Sequence, residues 1–341
     1  MAQTGCSTFG YYSHLINGHY ALTDNEEDIE HILASMKYDD RTRTSLSRAL
    51  LIRQFASDRL GLPDNDSYKT FVKLDRPYPV WNVIAAEKFS VNAKQWCFLF
   101  VGCINYRGYF TEQDAEHKAQ ALKSAGYDVT VSPAAAYSTL GWFDDPLLSS
   151  MLYKEEAHLA GIIFHELAHQ KVYIDDDSSF NEAFATTVEL EGVRRWLDAQ
   201  GDTQGMQKYR QYKRRQQAFN DFLQATRAKL KTLYKSGAAE DDLLAGKKRI
   251  ISAMRIEYQT LRRQWQGYSG YDKWMQRDIN NANLALVATY HELVPAFQAL
   301  LGRQQNRLDL FYTEVQRLGE RPRAERQAVL QDLASQTLAR Q

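Results

Sequence analysis

An α+β fold, predominantly α-helical, is predicted by three features of the chain. Apolar residues recur at helical spacing ahead of residue 60. Short β-branched or aromatic runs bounded by turn residues follow between residues 80 and 131, and from Gln204 the pattern is almost wholly helical. In the lead-in, Ile29, Ile32 and Leu33, then Leu46, Leu50, Ile52 and Phe55 mark a helical stretch over 26–60. Gly61 is suited to the left-handed position at its end, and Pro63-Asp64-Asn65-Asp66 breaks the pattern. Residues 80–84, 98–101 and 127–131 read as strands of a small mixed sheet, with a helix over 112–125, closed by Gly126, between the last two.

A helix over 155–171 follows, then a second in which Phe180, Ala183, Phe184, Val188, Trp196 and Leu197 are the apolar positions. Residues 207–235 and 240–266 predict two long antiparallel helices joined at Ser236-Gly237-Ala238-Ala239. The basic run from Lys208 to Arg215 reads as a solvated helix face rather than a lipid contact. Asn280-Asn281-Ala282-Asn283 opens a helix expected to continue through Tyr290 and His291 to Pro295, where the missing N–H and the ring clash stop or kink it. An amphipathic helical tail starts near Pro322.

Composition narrows the function classes. Hydrophobic residues make up 44% of the 341, with 20 Tyr and 15 Phe, enough for a substantial core. Lys plus Arg equals Asp plus Glu at 42 each, so no global field draws nucleic acid or an anionic membrane. The longest apolar stretches, near 80–86 and 284–301, are interrupted by polar residues and do not span a bilayer. There is no Gly-rich phosphate loop and no G-x-S-x-G turn.

The chemistry concentrates in Gly161-Ile162-Ile163-Phe164-His165-Glu166-Leu167-Ala168-His169-Gln170. Residues four apart share a helix face, so His165 and His169 can offer two imidazoles to one metal, with Glu166 beside them as general base: the HExxH zinc motif. Catalytic zinc takes three protein ligands. Glu182, thirteen positions beyond His169, is the candidate third. Ser179-x-x-Glu182 also fits a capping box, but a zinc site one ligand short favours the ligand role. Glu189, seven residues on, and Asn181 are candidates to orient the ligands. His158, seven before His165, reads as a surface or satisfied core histidine. Cys97 and Cys103 either close a small disulfide loop in an oxidising compartment or remain two buried thiols; Cys6 is left over.

His165-Glu166-x-x-His169 with Asn181-Glu182-x-x-Ala185 resembles the gluzincin metallopeptidases, which place two His and a Glu on consecutive helices. More closely, several segments resemble a bacterial family of predicted aminopeptidases, typically lipoproteins. They are Gly5-Cys6-Ser7-Thr8-Phe9-Gly10-Tyr11-Tyr12, Trp81-Asn82-Val83, Tyr106-Arg107-Gly108-Tyr109-Phe110 and the run from Ala136 to Pro146. The resemblance is strong over about the first 200 residues and weak beyond. It implies a gluzincin-like zinc peptidase core with a small mixed sheet and long C-terminal helices. The expected parts are an N-terminal helical lead-in (1–65), a zincin catalytic core (66–200) and a helical C-terminal region with a substrate-cleft lobe (201–341). Zn2+ is the implied cofactor and a peptide the substrate.

Where gluzincins lay a strand along the cleft, this chain has Tyr137, Ser138, Thr139, Leu140 and Gly141, the implied substrate-binding residues; an ordinary edge strand is the alternative. Tyr290, backed by His291, is the implied oxyanion stabiliser. Thr186 stands where many thermolysin-like sites have Asp, which leaves one orienting role unassigned. Cys6 matches the lipidated cysteine of such lipoproteins, and Met1-Ala2-Gln3-Thr4 has neither a charged nor an apolar leader segment. The expectation is an envelope protein facing the periplasm and anchored through Cys6 in its native precursor. An aminopeptidase is the leading reading, with an endopeptidase of the same class and a zinc-stabilised envelope scaffold as alternatives.

Overall fold

The computed structural model describes residues 18, 20–35, 37–98, 102–134, 143–152, 155–175, 177–286 and 293–338. Helices dominate, with three small sheets on the N-terminal side. The lead-in is two helices, not one, because two aspartates each start a new one. Strand β1 (Glu27–Asp28) runs into α1 (Ile29–Ala34), whose N-cap Asp28 accepts from His31 N–H. Asp39 then caps α2 (Asp40–Leu60) by accepting from Thr42 N–H at 2.8 Å. Gly61 ends α2 at φ 66°, as its lack of a Cβ permits.

Strand β2 (Thr70–Val72) pairs antiparallel with β1 and parallel with β8 (Leu147–Leu148). The second sheet has β3 (Val80–Ala86) between β6 (Arg107–Tyr109) and β7 (Asp128–Ala134), all antiparallel, with α3 (Glu112–Ser124) packed on it. The expected strand at 98–101 proves to be part of a hairpin, β4 (Trp96–Phe98) and β5 (Gly102–Ile104), with residues 99–101 outside the described set. Cys97 faces Cys103 across it, and the two are joined with an S–S distance of 2.00 Å. The short strands β1, β2, β6 and β8 escaped the sequence reading because two or three residues cannot display an alternation.

After the short helix α4 (Ser149–Leu152) come α5 (Glu156–Lys171) and α6 (Ser178–Ala199), an antiparallel pair at the centre of the main core. Their axes come close at Gly192, where a Cβ would stand 2.7 Å from a Phe164 ring carbon and 2.9 Å from Leu60. Phe164, Phe180, Phe184, Phe297 and Phe311 fill this core without measurable exposure. The long hairpin follows as α7 (Thr203–Tyr234) and α8 (Glu240–Gln264). Acidic residues in the first turn of α8 and arginines in its last oppose the helix dipole. Between α7, α8 and α9 (Asp272–Met275) lies a separate cluster that includes Phe219, Leu230, Met254 and Tyr258.

One expectation is corrected. The helix beginning at the Asn cluster, α10 (Asn281–Ala285), has Leu286 as its C-cap, residues 287–292 lie outside the described set, and α11 (Val294–Arg303) has Pro295 in its first turn, where a stop or kink was expected. First-turn positions have no use for an N–H, so proline fits the start of this helix. The chain closes with α12 (Leu308–Gly319) and α13 (Arg323–Leu338). No described helix is long and apolar enough to cross a membrane.

Candidate metal centre

Helix α5 carries His165 and His169 on one face, and the short link 172–177 turns the chain so that α6 runs back beside it. Asn181 closes that turn: its side chain accepts from Ile174 N–H at 2.9 Å and donates to Ile174 C=O at 2.8 Å. It therefore shapes the loop between the two helices. Helix α6 starts at Ser178 with Asp177 as its N-cap, accepting from Phe180 N–H. The alternative in which Ser179 and Glu182 form a capping box falls away, because Ser179 lies inside the helix.

Glu182 instead faces both histidines. Its Oε2 is 3.3 Å from Nε2 of His165 and its Oε1 is 3.8 Å from Nε2 of His169, and the two imidazole centroids are 4.9 Å apart. One ligand atom from each of His165, His169 and Glu182 lies within 4.8 Å of the others, close enough to share a single ion. His169 is buried, whereas His165 and Glu182 are half-buried, so the cluster has an open side.

The electrostatics suit a cation. Burial opposes charge on His165, but hydrogen bonding with Glu182 and Glu189 outweighs it and raises its pKa well above the ordinary imidazole value. His169 is pushed down to about 4 by burial and by the neighbouring His165. Its Nδ1 is buried without a hydrogen-bond partner among the described residues. Two imidazoles and a carboxylate are the donor set of catalytic zinc, and the residues fit that ion.

Behind His165 stands a second layer. Glu189 Oε2 is 3.4 Å from His165 Nδ1, an arrangement that fixes the ring and leaves Nε2 for the centre. Gly161 makes room for that carboxylate: a Cβ there would lie 3.3 Å from Glu189 Oε1. Lys213 Nζ is 2.6 Å from Glu189 Oε1, and Tyr209 donates to the same oxygen at 3.1 Å. Burial would raise the Glu189 pKa, yet Lys213 and then His165 overcome it and hold the carboxyl at about 2. Lys213 belongs to the run read as a solvated face. Tyr209 and Lys213, four apart and so on one side of α7, were the only sign that one side turns inward. His158 packs its ring 4.4 Å from that of Tyr212 and serves the α5–α7 contact.

A family model described as "Putative aminopeptidase" matches residues 10–330. The chain belongs to that family. The match takes in both helices of the centre and the α7–α8 hairpin, and the family's name points to peptidase activity. No curated protein and no solved structure was found to match the chain.

The remaining expected site residues are Tyr137, Ser138, Thr139, Leu140 and Gly141 of the substrate strand, Tyr290 with His291, and Cys6. All lie outside the described residues. Glu166, the expected base, is half-buried on α5, directly after the first histidine. A further group against this helix was missed altogether: Gln170, four residues after Glu166, accepts from Asn65 Nδ2 at 2.7 Å and donates to Ser67 Oγ at 3.2 Å. No spacing rule links a loop at 63–67 to a helix a hundred residues later.

Proposed function

We propose that this protein is a zinc-dependent metallopeptidase that hydrolyses peptide bonds, acting as an aminopeptidase. The observation that carries the reading is the convergence of His165, His169 and Glu182 from two antiparallel helices, with Glu166 next along the first. Family membership supports the peptidase class, and the family's name supports the aminopeptidase choice. A zinc ion held by these three side chains would supply Lewis acidity to a scissile carbonyl and lower the pKa of an attacking water.

The chain's own residues do the rest. Glu166, which is not a ligand, takes the proton of the attacking water on its carboxylate and passes it to the leaving amine. Glu189 holds the His165 ring by its Nδ1 side, and Lys213 keeps Glu189 ionised for that purpose. In this reading the segment 137–141 takes the substrate backbone by strand pairing, and Tyr290 steadies the oxyanion. The Cys97–Cys103 bond supports an oxidising compartment, hence export to the envelope, where Cys6 would carry the lipid anchor.

The test uses a matched peptide pair, one with a free and one with an acetylated N-terminus, incubated with zinc-loaded protein and followed by mass spectrometry. Single residues released from the free peptide alone are expected. Internal cuts in both peptides would replace the aminopeptidase with an endopeptidase, and no cuts in either with zinc bound would favour the structural scaffold.

A further inference from the structure

Tyr68 stands out by three independent properties. It is one of the largest fully buried side chains, 1% exposed, and its hydroxyl has no hydrogen-bond partner among the described residues. Its backbone sits at φ 66°, a left-handed conformation that a bulky aromatic residue adopts only when its surroundings impose it. The imposing contacts can be named. Arg53, itself buried, donates to the carbonyls of Pro63, Asn65 and Ser67 and so fixes the loop before Tyr68. Tyr68 N–H donates to the Asp145 carbonyl at 2.7 Å, and Asp145 N–H in turn donates to Ser67 Oγ at 3.3 Å.

The loop is docked where it matters. Gln170 grips Asn65 and Ser67, and Gln170 lies one turn beyond Glu166 on the same face of α5. On the other side, Asp145 stands three residues after the expected substrate strand and its flanking Trp142. Tyr68 thus sits in a loop pinned between the helix that presents Glu166 and the segment that carries Asp145. Burial, followed by the charges of Glu166 and Asp145 and only partly offset by Arg53, keeps the phenol protonated far above its ordinary range, so it is a permanent donor. A structural tyrosine has little reason to bury an unmet O–H at a strained backbone position, because phenylalanine would fill the same space without that loss.

We propose that Tyr68 is a positioning residue for Glu166: its O–H donates to the Glu166 carboxylate in the working site and holds it turned toward the attacking water. This rests on the reading of Glu166 as the general base. Such bonds are often long before substrate arrives and tighten only in the reacting complex. The phenol is buried, so its role is to act through Glu166.

Tyr68→Phe keeps the ring and removes only the donor. It should fold and melt no lower than the wild type, since no existing hydrogen bond is lost and the unmet hydroxyl is removed. The first readout is infrared difference spectroscopy of zinc-loaded wild type against zinc-loaded Tyr68→Phe, each saturated with the N-acetylated peptide, repeated in the Glu166→Gln background. The proposal requires a carboxylate stretching band that moves in Tyr68→Phe and is missing from the Glu166→Gln pair; an unmoved band overturns it. This readout does not depend on peptidase activity, so it decides the Tyr68–Glu166 contact even if the protein cleaves no peptide and the peptidase reading itself fails. Where wild type does cleave, kcat in Tyr68→Phe should fall about 10–100-fold, with KM and zinc content unchanged, as for other groups that orient a reacting side chain. Full turnover in Tyr68→Phe overturns the proposal.

Discussion

At the scale of residues, the account turns on how His165 is held. Its Nδ1 side belongs to Glu189, and Glu189 is kept ionised by Lys213 at 2.6 Å. Lys213→Met should therefore weaken zinc binding about 10–100-fold, measured by chelator competition, without touching any ligand. It should also cost roughly 1.5–3 kcal/mol of stability, the range for losing a hydrogen bond to a charged group. The pH dependence has a definite sign. A carboxyl held at about 2 in the folded protein, against an ordinary 4.5, adds stability that is full above 4.5 and is lost as pH falls toward 2. Urea midpoints between pH 6 and 3 should fall more steeply in wild type than in Lys213→Met. A parallel fall would show that Lys213 does not set the ionisation of Glu189. The pair His165 and His169 was legible in the sequence because helix geometry is local, as was Glu189 seven residues after Glu182. Lys213 and Tyr68 were not, since only the packing of separate segments tells which side chains turn inward.

At the scale of elements, α5 and α6 form the frame, and the start of α6 is anchored from far along the chain. Asp177 caps α6, and its carboxylate accepts from Arg326 of α13 at 2.9 Å, both side chains being buried. Arg326 also donates to the carbonyls of Gly319 and Arg321, so it ties α12 and α13 to the helix that presents Glu182. Arg326→Met should cost about 3–5 kcal/mol, because it leaves a buried carboxylate without its partner. Denaturant unfolding would read this as a lower midpoint with an unchanged slope, and a midpoint like that of wild type would place the anchor elsewhere. Long helices were legible from their period: α7 and α8 lie within four residues of their expected ends. Short strands carry no period, and Pro295, read as a stop or kink, stands in the first turn of α11, a position the sequence reading did not weigh.

At the scale of the molecule, the main core surrounds α5 and α6, a small sheet lies on the N-terminal side, and the α7–α8 hairpin reaches across to supply Tyr209 and Lys213. The family was legible from short motifs in the first 200 residues, and the match proves to extend over residues 10–330. What motifs could not convey is that distant parts, the loop at 63–67, α7 and α13, brace the two helices. A frame braced from several directions suits the proposed site, which would hold Glu166 and three ligand groups in register. A catalytic zinc centre and a structural one differ in whether Glu166 is needed for turnover but not for metal binding. The most direct test is zinc content and peptide turnover measured on one sample of Glu166→Gln. Glu166→Gln should carry one zinc per chain, as wild type should, with turnover lost. Turnover retained in Glu166→Gln, or no zinc bound by wild type, would contradict a catalytic zinc centre.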